Sequence, residues 1–129
     1  MHLAATLTTA GLLGLIYFVL SYRVIQVRVA SKISLGDGSD DRLLARIRAH
    51  ANFAEYVPLI LVLMAVIELW VARGPWLWGV GAALVVARLA HAVGMAMPAP
   101  NPFRIIGTMT TFVLLIGTSV WAVWLGLGS

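Results

Sequence analysis

Apolar residues fill four long stretches of this chain, and polar residues gather in the connections between them. The stretches cover residues 3–22, 44–72, 76–97 and 103–127. Each is close to the ~20 residues that an α-helix needs to cross a hydrocarbon core of about 30 Å. The pattern therefore predicts an all-α integral membrane protein, in which residues 1–129 form a single domain with four transmembrane helices in a bundle.

The three connections carry signals that end one helix and begin the next. The first contains the glycine-rich string LGDGSDD (residues 35–41), in which Asp40 or Asp41 is expected to cap the second helix. The second is only ARGP (residues 72–75), a tight turn with a proline at a helix start. The third, MPAPNP (residues 97–102), contains too many prolines to be helical. The four stretches are therefore expected to be separate helices.

Composition supports a membrane protein and excludes several kinds of site. Hydrophobic residues make up 61% of the 129 residues and charged residues 11%, with a mean hydropathy of +0.96, which a soluble globular domain would not have. The chain has no cysteine, which excludes disulfides, thiolate metal ligands and cysteine nucleophiles. The histidines are spread along the chain without the i, i+4 spacing of a metal-binding helix, so we expect no metal site.

Small residues in the apolar stretches predict where helices pack closely. Lipid is as apolar as a leucine side chain, so helices in a membrane associate through packing, small residues and polar contacts. The glycines that lie inside or beside apolar stretches, where two backbones can approach, are Gly79, Gly81, Gly94, Gly107 and Gly117.

The charges predict how the helices cross the membrane. Cations concentrate in the first connection, so the positive-inside rule makes this loop and the third cytoplasmic and puts both termini outside. The tryptophans then fall at the outer helix ends, as in an aromatic belt. The net charge of +4 does not indicate nucleic acid, because the cations cluster at one membrane face, where we expect contact with anionic membrane lipids. These cations are Arg23, Arg28, Lys32, Arg42, Arg46 and Arg48, and the tryptophans are Trp70, Trp76, Trp78, Trp121 and Trp124.

Polar residues at the start of the second stretch form the strongest candidate site. Arg48, Asn52 and Glu55 repeat at helical spacing and line one face. Tyr56 lies about 100° further round than Glu55, beside Asn52. Such groups cost free energy in hydrocarbon, so a ligand or a partner must offset that cost. Two interpretations stay open: this face binds a ligand, or it is a polar stripe that joins helices within an oligomer.

The third stretch contributes a second polar pair. Arg88 lies one helical turn before His91, and both approach the cytoplasmic end on the predicted topology. An arginine buried there requires an anionic partner, which can come from the protein or from a ligand.

The string RAHANFAEYVP (residues 48–58), between a basic loop and an apolar stretch, resembles the signature of the MAPEG family, the membrane-associated proteins in eicosanoid and glutathione metabolism. The string RLAHAVG (residues 88–94) is similar to the third helix of small bacterial members. The resemblance implies a homotrimer with glutathione bound between adjacent subunits near the cytoplasmic face. It also implies a bacterial inner membrane location, in which the outside termini of the predicted topology are periplasmic.

The same resemblance implies a role for particular side chains. Arg28, at the end of the first helix, and Arg104, at the start of the fourth, resemble arginines of the glutathione pocket, and His50 stands where relatives often have glutamine. The residues expected to bind glutathione are Arg28, Arg48, His50, Asn52, Glu55, Tyr56, Arg88 and His91.

The chemistry of glutathione suits these side chains. The tripeptide carries two carboxylates and one ammonium, so the arginines suit its carboxylates and Glu55 suits its γ-glutamyl ammonium. Its thiol must lose a proton to become a nucleophile, and a nearby guanidinium lowers the pKa of a thiol from its ordinary value of about 8.5. By the same resemblance, Arg104 is the expected catalytic residue, with His91 or Arg88 as substitute.

We therefore expect an enzyme, a glutathione S-transferase or peroxidase with glutathione as co-substrate. Its second substrate would be a lipophilic electrophile or a lipid hydroperoxide from the bilayer, which makes detoxification its role. The alternative is a non-catalytic membrane scaffold or lipid-binding module of the same fold. A transporter or channel ranks third, because the four stretches show no internal repeat and no broken helix pair.

Overall fold

The computed structural model describes residues 2–71 and 74–128, and these ranges contain four α-helices and no strand. The helices are α1 (Ala4–Ser31), α2 (Asp41–Val71), α3 (Trp76–Met95) and α4 (Pro102–Leu127). Each is long and apolar enough to cross a membrane. The prediction of an all-α membrane protein with four spans is confirmed. Ala72 at the predicted end of the second span, and Arg73 in the predicted tight turn, lie outside the described residues.

The first helix is longer than the apolar pattern indicates, because it continues to Ser31 rather than ending at residue 22. The added segment contains no glycine or proline, so nothing in it interrupts the helix. The helix ends where Lys32 adopts the left-handed conformation, at φ 54°. The membrane interface tolerates basic residues, so their presence alone does not end a helix.

Asp40 begins the second helix, as one of the two predicted caps. Its carboxylate accepts a hydrogen bond from the backbone N–H of Leu43 at 3.0 Å and one from the Ser31 hydroxyl at 3.3 Å. The Leu43 hydrogen bond is the main cause that holds the pKa of Asp40 below its ordinary value. The stabilising effect of this cap is therefore present above the ordinary pKa of an aspartate and is lost as the pH falls through the lowered value.

The four helices form a bundle with α2 and α3 at its centre. The first helix packs on α2 and α3, the fourth packs on the same two, and α1 and α4 make no contact among the described residues. The rings of Trp76 and Trp121 lie 5.0 Å apart, which places the start of α3 beside the end of α4. We call this the tryptophan end. The opposite end, with the end of α1 and the start of α2, is the basic end.

The apolar core of the chain is thin. Side chains such as Leu13, Phe53, Ile60, Met64 and Leu84 are buried between the helices. However, only 11% of an apolar 18-residue segment of α4 is buried inside the bundle. The outward surface of every helix is rich in exposed aliphatic residues. A surface this apolar suits lipid or another subunit rather than water.

Three of the five expected glycines lie at close helix approaches. A β-carbon at Gly81 would collide with the Thr9 hydroxyl, and one at Gly107 would lie 2.6 Å from the carbonyl oxygen of Ala87. A β-carbon at Gly94 would strike the backbone of α4. Gly79 and Gly117 have no neighbouring atom within 4 Å, so the expectation of close packing at these two positions is wrong for the single chain.

A buried glutamate joins α2 to the start of α1 at the tryptophan end. The carboxylate of Glu68, which is 7% exposed, accepts hydrogen bonds from the backbone N–H of Ala5 at 2.9 Å and of Thr6 at 2.8 Å. These donors belong to the first turn of α1, which has no partner for them within its own helix. The negative charge also complements the positive end of the helix dipole. Glu68 therefore caps a helix from a distant part of the chain.

We expect Glu68→Gln to lower the free energy of unfolding in detergent by about 2 kcal/mol, because an amide oxygen replaces only one of the two charged acceptors. Denaturant titration followed by circular dichroism measures this change. Glu55→Gln is the matched control on the same helix, where the carboxylate is half exposed, and we expect a change below about 0.5 kcal/mol. Equal losses in both variants would contradict the capping role.

Candidate functional site

The predicted polar face of α2 is present and points outward from the single chain. Arg48 Nη1 lies 3.9 Å from Glu55 Oε1, and the two side chains are 54% and 50% exposed. Asn52 lies between them on the same face, and its Oδ1 atom is buried with no hydrogen-bond partner. A half-exposed ion pair on a membrane-spanning helix is costly against hydrocarbon. This face therefore needs a covering group that is not in the single chain.

Tyr56 and His50 point away from this ion pair, toward other helices. The ring of Tyr56 packs edge-on against Phe112 of α4, with centroids 5.2 Å apart. His50 faces α1, where its Nε2 atom lies 3.0 Å from the Ser21 hydroxyl and its ring stacks on Tyr17 at 4.6 Å. Both side chains are half buried, so each contributes to the packing of α2 against a neighbouring helix.

Arg88 lies in the interior of the bundle, only 1% exposed. Its Nη1 atom donates to the Thr111 hydroxyl at 3.4 Å, and its guanidinium carbon lies 5.5 Å from the centre of the Phe53 ring. Its Nη2 atom lies 3.3 Å from His91 Nδ1. Because arginine can only donate, Nδ1 must accept, which places the proton of a neutral His91 on Nε2.

Among the described residues, no carboxylate forms an ion pair with Arg88. The one ion pair in this part of the chain joins Arg48 and Glu55. The Nε atom of Arg88 is buried and has no hydrogen-bond partner. A hydroxyl, an imidazole and an aromatic face stabilise a cation less than an anion would. The anionic partner expected for Arg88 is therefore not supplied by this part of the chain.

Arg104 lies in the first turn of α4 at the basic end, with its side chain exposed. Its backbone N–H donates to Asn101 Oδ1 at 3.0 Å, and Asn101 Nδ2 donates to the carbonyl oxygen of Gly94 at 2.8 Å. A β-carbon at Gly94 would lie 2.6 Å from the Arg104 α-carbon. The asparagine cap and the glycine together hold this turn against the end of α3. His91 is close enough to both Arg88 and Arg104 to experience their charges.

Arg28 is engaged in the first loop rather than with the other candidate residues. Its Nη1 atom donates to the carbonyl oxygen of Gly36 at 2.8 Å, with longer contacts to the carbonyls of Ile33 and Ser34. Gly36 has a φ of +67°, a conformation that favours glycine, and this turn directs its carbonyl back to α1. Arg28 therefore orders the loop of the single chain.

The structure thus divides the predicted site residues into separate groups. One is Arg48, Asn52 and Glu55 on the outer face of α2, a second is Arg88 and His91 with Arg104 beside them, and the third is Arg28 in the loop. Tyr56 and His50 belong to none of the three, because they pack against α4 and α1. The single chain does not bring the three groups into one pocket. Sequence reasoning missed Phe53 and Thr111, which face Arg88 and carry no recognisable signal, and Asn101, which the pattern of asparagine before a helix-starting proline could have identified.

Comparison with known proteins gives a clear result. The family profile described as the MAPEG family matches residues 6–124. The inner membrane protein YecN of Escherichia coli strain K12 is 34% identical over 88 residues, which are 66% of this chain, and the same protein of E. coli O6:H1 matches to the same extent. The chain spans 65% of the length of these curated relatives. No solved structure matches the chain.

We expect Gly94→Ala to destabilise the protein by about 1–3 kcal/mol, because the added methyl group must displace the backbone of α4 at Arg104. Denaturant titration in detergent measures the loss. Gly79→Ala on the same helix is the matched control, since no atom lies within 4 Å of its added carbon, and it should be neutral or slightly stabilising. A neutral effect of Gly94→Ala would show that α4 does not depend on this contact.

Proposed function

The chain belongs to the MAPEG family, and from this premise we propose that it is a membrane-embedded glutathione transferase or peroxidase. It binds glutathione, converts its thiol to the thiolate, and directs the thiolate at a lipophilic electrophile or a lipid hydroperoxide. The matched relatives are named as inner membrane proteins of E. coli, and we propose the same membrane for this chain, with both termini periplasmic and the basic end cytoplasmic.

The observation that carries the proposal is an excess of positive charge with no anion to neutralise it. Arg88 is buried without a carboxylate and lies 3.3 Å from His91, and Arg104 is exposed at the same end of the bundle. Charges interact strongly in a medium of low dielectric constant. An anionic ligand at this end would therefore relieve the cost of keeping two guanidinium groups close to hydrocarbon.

The outer face of α2 supports a ligand with both kinds of charge. Arg48 suits a carboxylate of glutathione, and Glu55 suits its ammonium group. The side chain of Asn52, whose Oδ1 atom is buried without a partner in the single chain, would supply an acceptor for a peptide N–H of the ligand after turning toward the outer face. The chain's own ion pair is long, at 3.9 Å, so a ligand that replaces it by shorter hydrogen bonds would gain free energy.

Arg104 is the proposed catalytic residue. Its side chain is exposed at the end of the bundle, and its backbone is held by Asn101, so the guanidinium can reach a ligand while its base stays fixed. A guanidinium beside the thiol stabilises the thiolate and so lowers the pKa of that thiol. Arg88 is too deeply buried to touch a ligand at the surface, so its proposed role is to add positive potential and to orient His91.

A second and a third copy of the chain would complete the site. The polar face of α2 points outward, while Arg88 and His91 point inward, so one chain cannot enclose a tripeptide with all of them. A homotrimer covers the outward face and joins it to the basic end of a neighbouring copy. The apolar outer surface lets a lipophilic second substrate reach this boundary directly from the bilayer.

We expect glutathione added to the purified protein to produce an ultraviolet thiolate absorbance, and we expect Arg104→Ala to abolish it while Arg104→Lys retains part of it. A difference spectrum in detergent measures this signal. Arg42→Ala is the matched control, because it removes an exposed arginine elsewhere at the basic end and should leave the absorbance unchanged. An intact protein that gives no thiolate signal in its native sequence would contradict the catalytic proposal.

One observation favours the non-catalytic scaffold as a second candidate. The half-exposed pair of Arg48 with Glu55, and the unpartnered Asn52, are equally able to bond across a boundary between two copies. In that case the same side chains serve assembly and not chemistry.

Asn52→Ala separates these two functions. In the enzyme, calorimetric titration should show glutathione binding about tenfold weaker with the trimer intact, since one hydrogen bond to a charged ligand is lost. In the scaffold, the trimer should dissociate on size-exclusion chromatography while no ligand affinity changes. Thr110→Ala, a half-buried polar residue of α4 without an assigned role, serves as the control and should alter neither measurement.

A further inference from the structure

A cavity of about 340 Å³ opens at the basic end, between α1, α2 and the end of α3. None of the residues of the candidate site lines it. Its volume lies within the range of small-molecule pockets in proteins. The cavity is therefore a separate feature of the bundle that the proposed glutathione chemistry does not use.

Three arginines line this cavity: Arg23, Arg42 and Arg46. Asp41 is the one acidic residue in its lining, and none of the three arginines forms an ion pair within the described residues. Asp40 lies outside the lining, and its charge interacts with that of Arg42. Its two carboxylate oxygens already accept hydrogen bonds, one from the backbone N–H of Leu43 and one from the Ser31 hydroxyl. The cavity thus keeps an excess of positive charge.

One of these arginines is fixed in place by the neighbouring helix. Arg46 Nη1 donates to the backbone carbonyl oxygen of Arg23 at 2.8 Å, which holds the guanidinium at the boundary of α1 and α2. Arg23 and Arg42 both lie close enough to Arg46 to repel it. Three like charges held together, with Asp41 as the one acidic residue in the same lining, favour the binding of a further anion.

The rest of the wall is apolar. Leu20 and Ala49 are buried beside the cavity, and Ala45, Ala92 and Met95 complete its sides. A small free anion would interact favourably with the arginines, but it would leave the apolar walls facing water or an empty space. A molecule with an anionic head and an aliphatic chain satisfies both parts of the lining at once.

We propose that this cavity binds one anionic phospholipid, with the phosphate among Arg23, Arg42 and Arg46 and part of an acyl chain against the apolar wall. The bilayer around the basic end supplies such lipids at high local concentration. Because the cavity lies between helices of one chain, the bound lipid contacts α1, α2 and the end of α3 and stabilises their packing. This inference stands independently of the glutathione proposal, since it uses different residues.

Native mass spectrometry of the detergent-solubilised protein, titrated with dioleoylphosphatidylglycerol, tests the proposal. We expect the first bound phosphatidylglycerol to be held at least about tenfold more tightly than phosphatidylcholine with the same chains. Inorganic phosphate and glycerol phosphate, at equal concentration, should not displace it. Equal retention of the two lipids, or displacement by either free phosphate, would overturn the proposal.

Two kinds of variant separate a built site from general attraction between cations and lipid. Arg46→Gln should weaken the first phosphatidylglycerol about fivefold, whereas Lys32→Gln, which removes a cation at the same end of the bundle but outside the cavity, should change it by less than about twofold. Ala45→Leu fills the apolar part with no change of charge and should weaken the same lipid at least about fivefold.

Surface attraction predicts a different result, in which Ala45→Leu binds like the native protein and Lys32→Gln weakens binding as much as Arg46→Gln does. That outcome would overturn the proposal. Circular dichroism and size-exclusion chromatography establish that each variant is folded. If Arg46→Gln does not fold, the exposed Arg42→Gln carries the charge test with the same expected loss.

Discussion

Polar groups inside a bilayer have no water to bond with, and this constraint organises the interior of the bundle. Glu68 satisfies two N–H groups at the start of α1, and Asn101 bonds both the end of α3 and the start of α4. Thr111 donates to the carbonyl oxygen of Gly107 at 2.7 Å and accepts from Arg88. Apart from the Thr111–Gly107 bond within α4, these contacts join segments that apolar packing alone would leave free to slide, because lipid competes with aliphatic side chains on equal terms.

The groups that the chain leaves unsatisfied indicate what it lacks. The charge of Arg88, the Oδ1 atom of Asn52 and the outward pair of Arg48 with Glu55 all require something beyond one chain. They lie on different sides of the bundle, so one partner molecule cannot contact all of these groups unless neighbouring copies bring the surfaces together. The proposal of an anionic ligand at such a boundary rests on the buried Arg88, which no carboxylate neutralises among the described residues.

The basic end concentrates cations for more than one purpose. Arg28 orders the first loop through carbonyl groups, Arg46 bonds to the backbone of α1 beside a cavity, and Arg104 lies in the first turn of α4 with its side chain exposed. The positive-inside rule treats such residues as equivalent charges, yet their surroundings differ in burial, in partners and in the helices they join. A lipid between α1 and α2 and a thiol at a subunit boundary are therefore compatible in one short chain.

The sequence by itself determined the class of protein, the four helices and the polar face of α2. Hydrophobic runs of membrane length and helical spacing are local properties, and Asp40 could be identified as a cap because the residues it serves follow directly. Only the tertiary structure decided that Glu68 caps α1, that His50 faces α1, and that Arg88 meets Phe53 and Thr111. These contacts join residues far apart in the chain, and which faces meet depends on close approaches at Gly81, Gly94 and Gly107 that composition does not encode. Where a glycine allows contact and where it faces open space, as at Gly79, is a property of the packed bundle.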